Sequence, residues 1–182
     1  MLRGLFTNRL ARNHLAEGLP PAWTVLADGT FLPAYQAAER LATEGQPVIL
    51  MAGERYGMGS SRDWAAKGAA LLGARAVVAC SFERIHRTNL IGMGVLPIRI
   101  ADDFVPAGAG IVAADKFEVD VHPDALTPNM PLSLVHCRAS GERSEISCRA
   151  AVETWQEVGL LRQGGVLSAI LSRTLAESGE KL

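Results

Sequence analysis

Apolar positions change their period along this chain, and the changes predict its elements. Residues 34 to 44 carry apolar groups at helical spacing, with Gly45 placed to stop the helix. Pro47 then opens an uninterrupted apolar run, Val48-Ile49-Leu50-Met51-Ala52, which predicts a buried strand over 47–52. A glycine-rich loop fills 53–61, and a helix is expected from about 62 to 72, ended by Gly73. Ala74-Arg75-Ala76-Val77-Val78-Ala79-Cys80 is a second buried strand. A helix over 82–91 follows, closed by Gly92-Met93-Gly94, and Val95-Leu96-Pro97-Ile98-Arg99-Ile100 is a third strand. Strand, helix, strand, helix, strand implies parallel pairing with right-handed crossovers, and so a three-layer α/β core. Such sheets take their ligands at the carboxyl ends of the strands, where the glycine loop lies.

After residue 101 the period shortens. Phe117-Glu118-Val119-Asp120-Val121 alternates as a half-buried strand does. Leu132–Cys137 and Ser144–Cys148 flank Ser140-Gly141 and predict a hairpin. A helix is expected over 153–162, a break at Gly164-Gly165, and a final helix over roughly 166–176. The tail beyond Ala176 is polar and is expected to fray. Residues 1–33 mix short apolar groups with the turn signals Pro20-Pro21 and Asp28-Gly29. The fold class expected is α/β: a mainly parallel β/α/β core over 1–100, with a β-rich C-terminal extension over 101–182 and a terminal helix, in one domain.

Composition narrows the function classes. The chain has 182 residues, 48% of them apolar, enough to build a core. Eighteen basic and 19 acidic side chains leave a net charge of −1, so no basic field recruits nucleic acid. No apolar run approaches the roughly 18 residues of a membrane span. The opening Met1-Leu2-Arg3-Gly4-Leu5-Phe6 lacks a long apolar signal core, so a cytoplasmic location is expected. Cys80, Cys137 and Cys148 are far apart in sequence, unlike the pairs about two to four residues apart that hold metals. No metal is therefore expected on this chain, and the cysteines are expected to be free thiols.

Candidate chemistry concentrates in Gly57-Met58-Gly59-Ser60-Ser61-Arg62, between the first buried strand and its helix. Glycines let the backbone turn sharply. A helix start offers unpaired amides and partial positive charge to an anion, and two hydroxyls with a guanidinium add donors suited to a carboxylate. Ser60 could equally cap the helix. Arg62 in a first helical turn opposes the helix dipole, and an anion in the loop would explain it. Arg3 alone reads as a solvated surface residue. Glu83 and Arg84 on the second helix are expected to form a fixing network behind the loop, and His86 beside them is expected to be a structural hydrogen-bonder and not a ligand. Trp64 and Phe82 are expected in the core, with Met51, Met58 and Met93 as gap-fillers. His122 and His136 receive no role.

The block Tyr56–Gly68, reading Tyr-Gly-Met-Gly-Ser-Ser-Arg-Asp-Trp-Ala-Ala-Lys-Gly, closely resembles the signature of the aconitase C-terminal swivel domain. So does Ser81–Pro97, and Arg3-Gly4-Leu5-Phe6-Thr7-Asn8 is similar to the opening of that domain. The likeness is strong over about 1–100 and looser over 101–175. It implies a hydro-lyase acting on tricarboxylic acids such as citrate and isocitrate, with a [4Fe–4S] cluster held by domains, or a large-subunit partner, absent from this chain. By position, Ser60 matches the catalytic base, Ser61 a serine that hydrogen-bonds substrate, and Arg62 and Arg3 two carboxylate-binding arginines. Full-length relatives carry a supporting aspartate upstream of the Arg3 position, before this chain starts, so a fragment is expected. A 2-methylcitrate or 2-methylisocitrate dehydratase, and a free-standing small subunit of a 3-isopropylmalate dehydratase type, share the loop. An RNA-binding module is the alternative from another class, and the balanced charge gives it little support.

Overall fold

A computed structural model describes residues 2–59, 62–104 and 106–178. Two short strands, β1 (Trp23–Val25) and β2 (Phe31–Pro33), pair antiparallel around Asp28-Gly29. Helix α1 (Ala34–Thr43) follows directly. Then come β3 (Val48–Ala52), α2 (Arg62–Leu71), β4 (Ala74–Ala79), α3 (Arg84–Gly92) and β5 (Leu96–Ile100). The second half holds β6 (Lys116–Val119), β7 (Pro131–Cys137), β8 (Arg143–Ala150), α4 (Trp155–Arg162) and α5 (Val166–Ser178). Ser60 and Ser61 lie outside the described residues, as do Val105 and the tail residues 179–182.

The α/β class read from the sequence holds, and the structure adds how its halves join. β3, β4 and β5 pair parallel, while β8 pairs antiparallel with β5 and carries β7 and β6 beyond it. One six-stranded sheet in the order β3-β4-β5-β8-β7-β6 results. The strands of the C-terminal segment therefore extend the core sheet, with Ala151 N–H donating to Pro97 O at 2.9 Å where they meet.

Both faces of the central strands are covered, which is why their sequences read as continuous apolar runs. Val77 packs with Ala66, Ala69, Leu90 and Val95, from α2, α3 and the turn before β5. Its neighbour Val78 points the other way, into a cluster with Ile98, Ile100, Leu134, Val152 and Val158. Phe82 is partly buried against the first cluster, and Met51 and Met93 fill gaps as expected. Trp64 and Met58 correct the reading: they are 61% and 62% exposed, at the end of the sheet where the glycine loop sits. Residues at the start of a helix or in a loop project past the sheet edge, so helical spacing alone does not bury them.

Two tertiary devices fix the C-terminal helices. Thr154 and Glu157 form a capping box, which starts α4 at Trp155 and not at 153. Arg87 of α3 bonds Glu157 through both terminal nitrogens, at 2.9 and 3.1 Å, and donates to Ala151 O at 2.9 Å. Beyond α4, Gly94 lies so close to Gly164 that a Cβ on Gly94 would come within 2.6 Å of the Gly164 carbonyl oxygen.

Candidate active site

The loop after β3 is held by an extension of the parallel ladder. Ala52 and Ala79 pair at the strand ends, and Cys80 N–H then donates to Gly53 O at 3.1 Å. The chain turns through Glu54-Arg55 and rejoins: Tyr56 N–H donates to Ser81 O, and Glu83 N–H to Tyr56 O, each at 2.9 Å. Arg55 takes a left-handed conformation, φ 54°, with its amide donating to Ser81 Oγ at 2.8 Å. These bonds place Gly57-Met58-Gly59 at the carboxyl ends of β3 and β4, just before the N-terminus of α2.

Glu83 does two jobs here. Its backbone holds Tyr56, and its carboxylate caps α3, accepting from the amides of Ile85 (2.9 Å) and His86 (3.1 Å). The expected fixing network is thus a cap plus a backbone tether. Arg84 takes no part: it is exposed, and its side chain bonds none of the described residues. His86 is buried directly beneath Gly57 (φ 86°), where a Cβ would overlap His86 Cγ at 2.1 Å. The Tyr56 ring meets the imidazole edge-on with centroids 5.2 Å apart. Burial holds the His86 pKa below its usual value, against the opposing pull of Glu83. Burial also pushes the Tyr56 phenol up to about 12, so it stays neutral.

Of the anticipated ligand groups, Arg62 begins α2 beside the loop, and Ser60 and Ser61 lie outside the described residues. Arg3 stands apart. Its guanidinium lies 5.5 Å over the Tyr35 ring, and no described contact joins it to Gly57–Gly59. Its segment is tied instead to the middle of α2, where Leu5 packs on Gly68. Sequence reasoning missed Tyr56 and Arg55 as loop anchors. The Tyr-Gly pair ahead of the glycines was the available signal for Tyr56; nothing in the sequence marked Arg55.

The profile of the family described as aconitase C-terminal domain matches residues 1–103, which includes the whole loop. The chain belongs to that family. Among curated relatives it is similar to the aconitate hydratase A of Pseudomonas aeruginosa, 38% identical over 96% of this chain and 19% of that protein. The same identity and coverage of this chain hold for the Escherichia coli aconitate hydratase A, of which 20% is covered. The phosphinomethylmalate isomerase of Streptomyces viridochromogenes is 39% identical over 98% of this chain and 20% of its own length. The chain thus spans about a fifth of the length of these relatives. Among solved structures, a 3-isopropylmalate dehydratase of Methanocaldococcus jannaschii is 25% identical, covering 72% of this chain and 67% of that one, at a TM-score of 0.46.

Members of this family are hydro-lyases that generally use a [4Fe–4S] cluster. The thiols here do not fit one. Cys80 is buried on the strand end, donating to Phe104 O at 3.2 Å. Cys137 and Cys148 pair with Arg143 and Leu132, at opposite ends of the β7–β8 hairpin. Among the described residues no three of His, Cys, Asp and Glu gather to hold a metal ion. Nor is any described helix long and apolar enough to cross a membrane.

Proposed function

We propose that this chain is the substrate-carboxylate-binding domain of an iron–sulfur hydro-lyase of the aconitate hydratase type, interconverting citrate and isocitrate through cis-aconitate. The cluster belongs to segments or a partner outside this chain, and the domain alone is inactive. One observation carries the reading. The family match covers Ser60, Ser61 and Arg62, and Gly57–Gly59, just ahead of them in sequence, lie at the carboxyl ends of β3 and β4. Helix α3 meets its own anion in the Glu83 carboxylate, so the external acid is assigned to the start of α2.

In this reading Arg62 grips one substrate carboxylate through two parallel bonds, and Ser61 hydrogen-bonds the acid. Ser60 removes the proton from the carbon beside the leaving hydroxyl. A serine is a weak base, and its alkoxide is stabilised by loop amides and the helix terminus. Arg3 supplies a second carboxylate contact once its segment leaves Tyr35. The cluster, when bound by the other domains, supplies Lewis-acid assistance to the departing hydroxyl. The phosphinomethylmalate isomerase relative favours a second substrate choice on the same site, another polyacid such as 2-methylcitrate or an isopropylmalate.

The test is reconstitution with a cluster-bearing partner, or the complete protein, assayed on citrate, 2-methylcitrate and isopropylmalate. Arg62→Lys should lose at least about tenfold in kcat/KM on the preferred acid, since an ammonium cannot make the two-pronged contact. Near-normal turnover by that variant refutes the assignment.

A further inference from the structure

A second cleft opens at the amino-terminal ends of β3, β4 and β5, the opposite end of the sheet from the glycine loop. β3 and β6 are the outer strands of that sheet, yet Ile49 of one and Val119 of the other line the same cleft, so the sheet curls until its two edges approach without pairing. The space between them holds about 340 Å³, within the range of small-molecule sites. Ala76, Leu126 and Leu161 contribute to its apolar walls. One wall is fixed in advance, because Arg162 donates to the carbonyls of Pro123, Asp124 and Leu126 at 3.1, 2.8 and 3.3 Å.

Arg75 is the one charged residue in this lining, and a bulge in β4 brings it there. Val48 pairs with Ala74 and Ile49 with Ala76, which leaves Arg75 without a partner on β3. Successive residues of a regular strand point to opposite faces. Here Ala74 and Val77, three apart, share the cluster beneath α2 and α3, while the neighbours Arg75 and Ala76 both reach the cleft. Bulges are rare between parallel strands, and near binding sites they serve to re-aim a side chain. Arg75 is the exposed residue of an otherwise buried β4. The ion pairs of the described arginines engage Arg40, Arg87, Arg99, Arg138 and Arg143, and Arg75 enters none of them.

We infer that this cleft is a second binding site, for an aliphatic monocarboxylic acid: the Arg75 guanidinium pairs with the carboxylate at the mouth, and the alkyl chain fills the apolar interior. One guanidinium in an otherwise apolar lining suits one carboxylate, not the three of a citrate. The eleven lining residues fall well short of the roughly 20–30 a side of a stable protein interface, so the occupant is a small molecule and not a partner chain. The cleft is independent of the function proposed for the Gly57–Gly59 loop, which lies at the other end of the sheet.

The experiment titrates the 182-residue chain with octanoate, hexanoate and 1-octanol, and reads by NMR the methyls of Ile49, Val119 and Leu126 and the amides of Gly57 and Gly59. Octanoate should shift the three methyls and leave the two glycines in place. Hexanoate, which buries two methylenes fewer, should bind about tenfold more weakly. Arg75→Gln, at an exposed position that leaves the core intact, should weaken octanoate at least about fivefold and 1-octanol less than about twofold. Val121→Phe places a ring in the cleft and, with the cooperative melt retained, should weaken both ligands at least about fivefold. Cleft methyls that octanoate does not move overturn the inference. So does wild-type affinity for octanoate in Arg75→Gln or in a folded Val121→Phe, or an equal loss of octanoate and octanol in Arg75→Gln. Shifts confined to Gly57 and Gly59 overturn it as well, because they place the acid at the loop.

Discussion

Replacing Gly57 by Ala probes the junction between loop and scaffold most directly. Two costs should add. At φ 86° an L-residue sits in the left-handed region, which costs about 1–2 kcal/mol. The new methyl also overlaps His86 Cγ, Cδ2 and Cβ at 2.1, 2.2 and 2.4 Å. These are the base of the side chain, not its flexible end, so the first turn of α3 must shift, an overpacking cost of about 1–3 kcal/mol. The expected loss is therefore about 2–5 kcal/mol. Gly141 supplies the control: it has φ 89°, in the hairpin turn of the same sheet, and nothing lies within 4 Å of where its methyl would stand. Gly141→Ala should show only the backbone share, about 1–2 kcal/mol. Urea unfolding of both variants, compared at constant m, measures the difference. A double mutant with His86→Ala removes Cγ and Cδ2 and should recover part of the excess, which a mutant cycle isolates. Equal losses at the two glycines, or no coupling to His86, would refute the packing of the loop on the imidazole.

Arg87→Ala strands the largely buried Glu157 carboxylate and should cost about 3–5 kcal/mol, whereas Glu153→Ala, an exposed partner of the same guanidinium, should cost under about 1; equal shifts in urea midpoint would contradict this. Asp115 and His136 form a second buried contact, 2.7 Å apart, and Asp115 also accepts the amides of Val112 and Ala139. Asp115→Asn should cost about 2–4 kcal/mol in the same assay, and a loss under about 0.5 would show the contact to be idle. Acid stability should fall in two stages. His86 has its pKa lowered on folding by burial, so the unfolded chain binds the extra proton and stability declines as pH drops below the ordinary 6.5. For Asp115 and Glu157, burial raises the carboxyl pKa but hydrogen bonds from His136 and Arg87 outweigh it. Their contribution is present above the ordinary 3.8 and 4.5 and is lost as pH falls below those values. His86→Phe should abolish the upper stage alone; an unchanged profile between pH ~7.5 and ~5.5 would remove His86 as its source.

The block from 47 to 100 was written into the order of its residues. Runs such as Val48–Ala52 and Ala74–Ala79, alternating with helical spacing and stopped by Gly73 and Gly94, leave one way to bury their apolar groups, and they appear within two residues of where the pattern puts them. The loop motif was equally legible, because a glycine turn between a buried strand and a helix is a local feature. Other features came only with the assembled fold. The antiparallel seam of β8 on β5, the imidazole of His86 under Gly57 and the Arg87–Glu157 pair, 70 positions apart, join residues whose separation leaves no periodic trace. Periodicity reports which face of its own element a side chain occupies. It carries no information about which distant element supplies the partner, or about a Trp64 or Met58 that overhangs the sheet end and stays in water. Those outcomes follow from loop closure and packing over the whole chain, which set partners only once the sheet has formed.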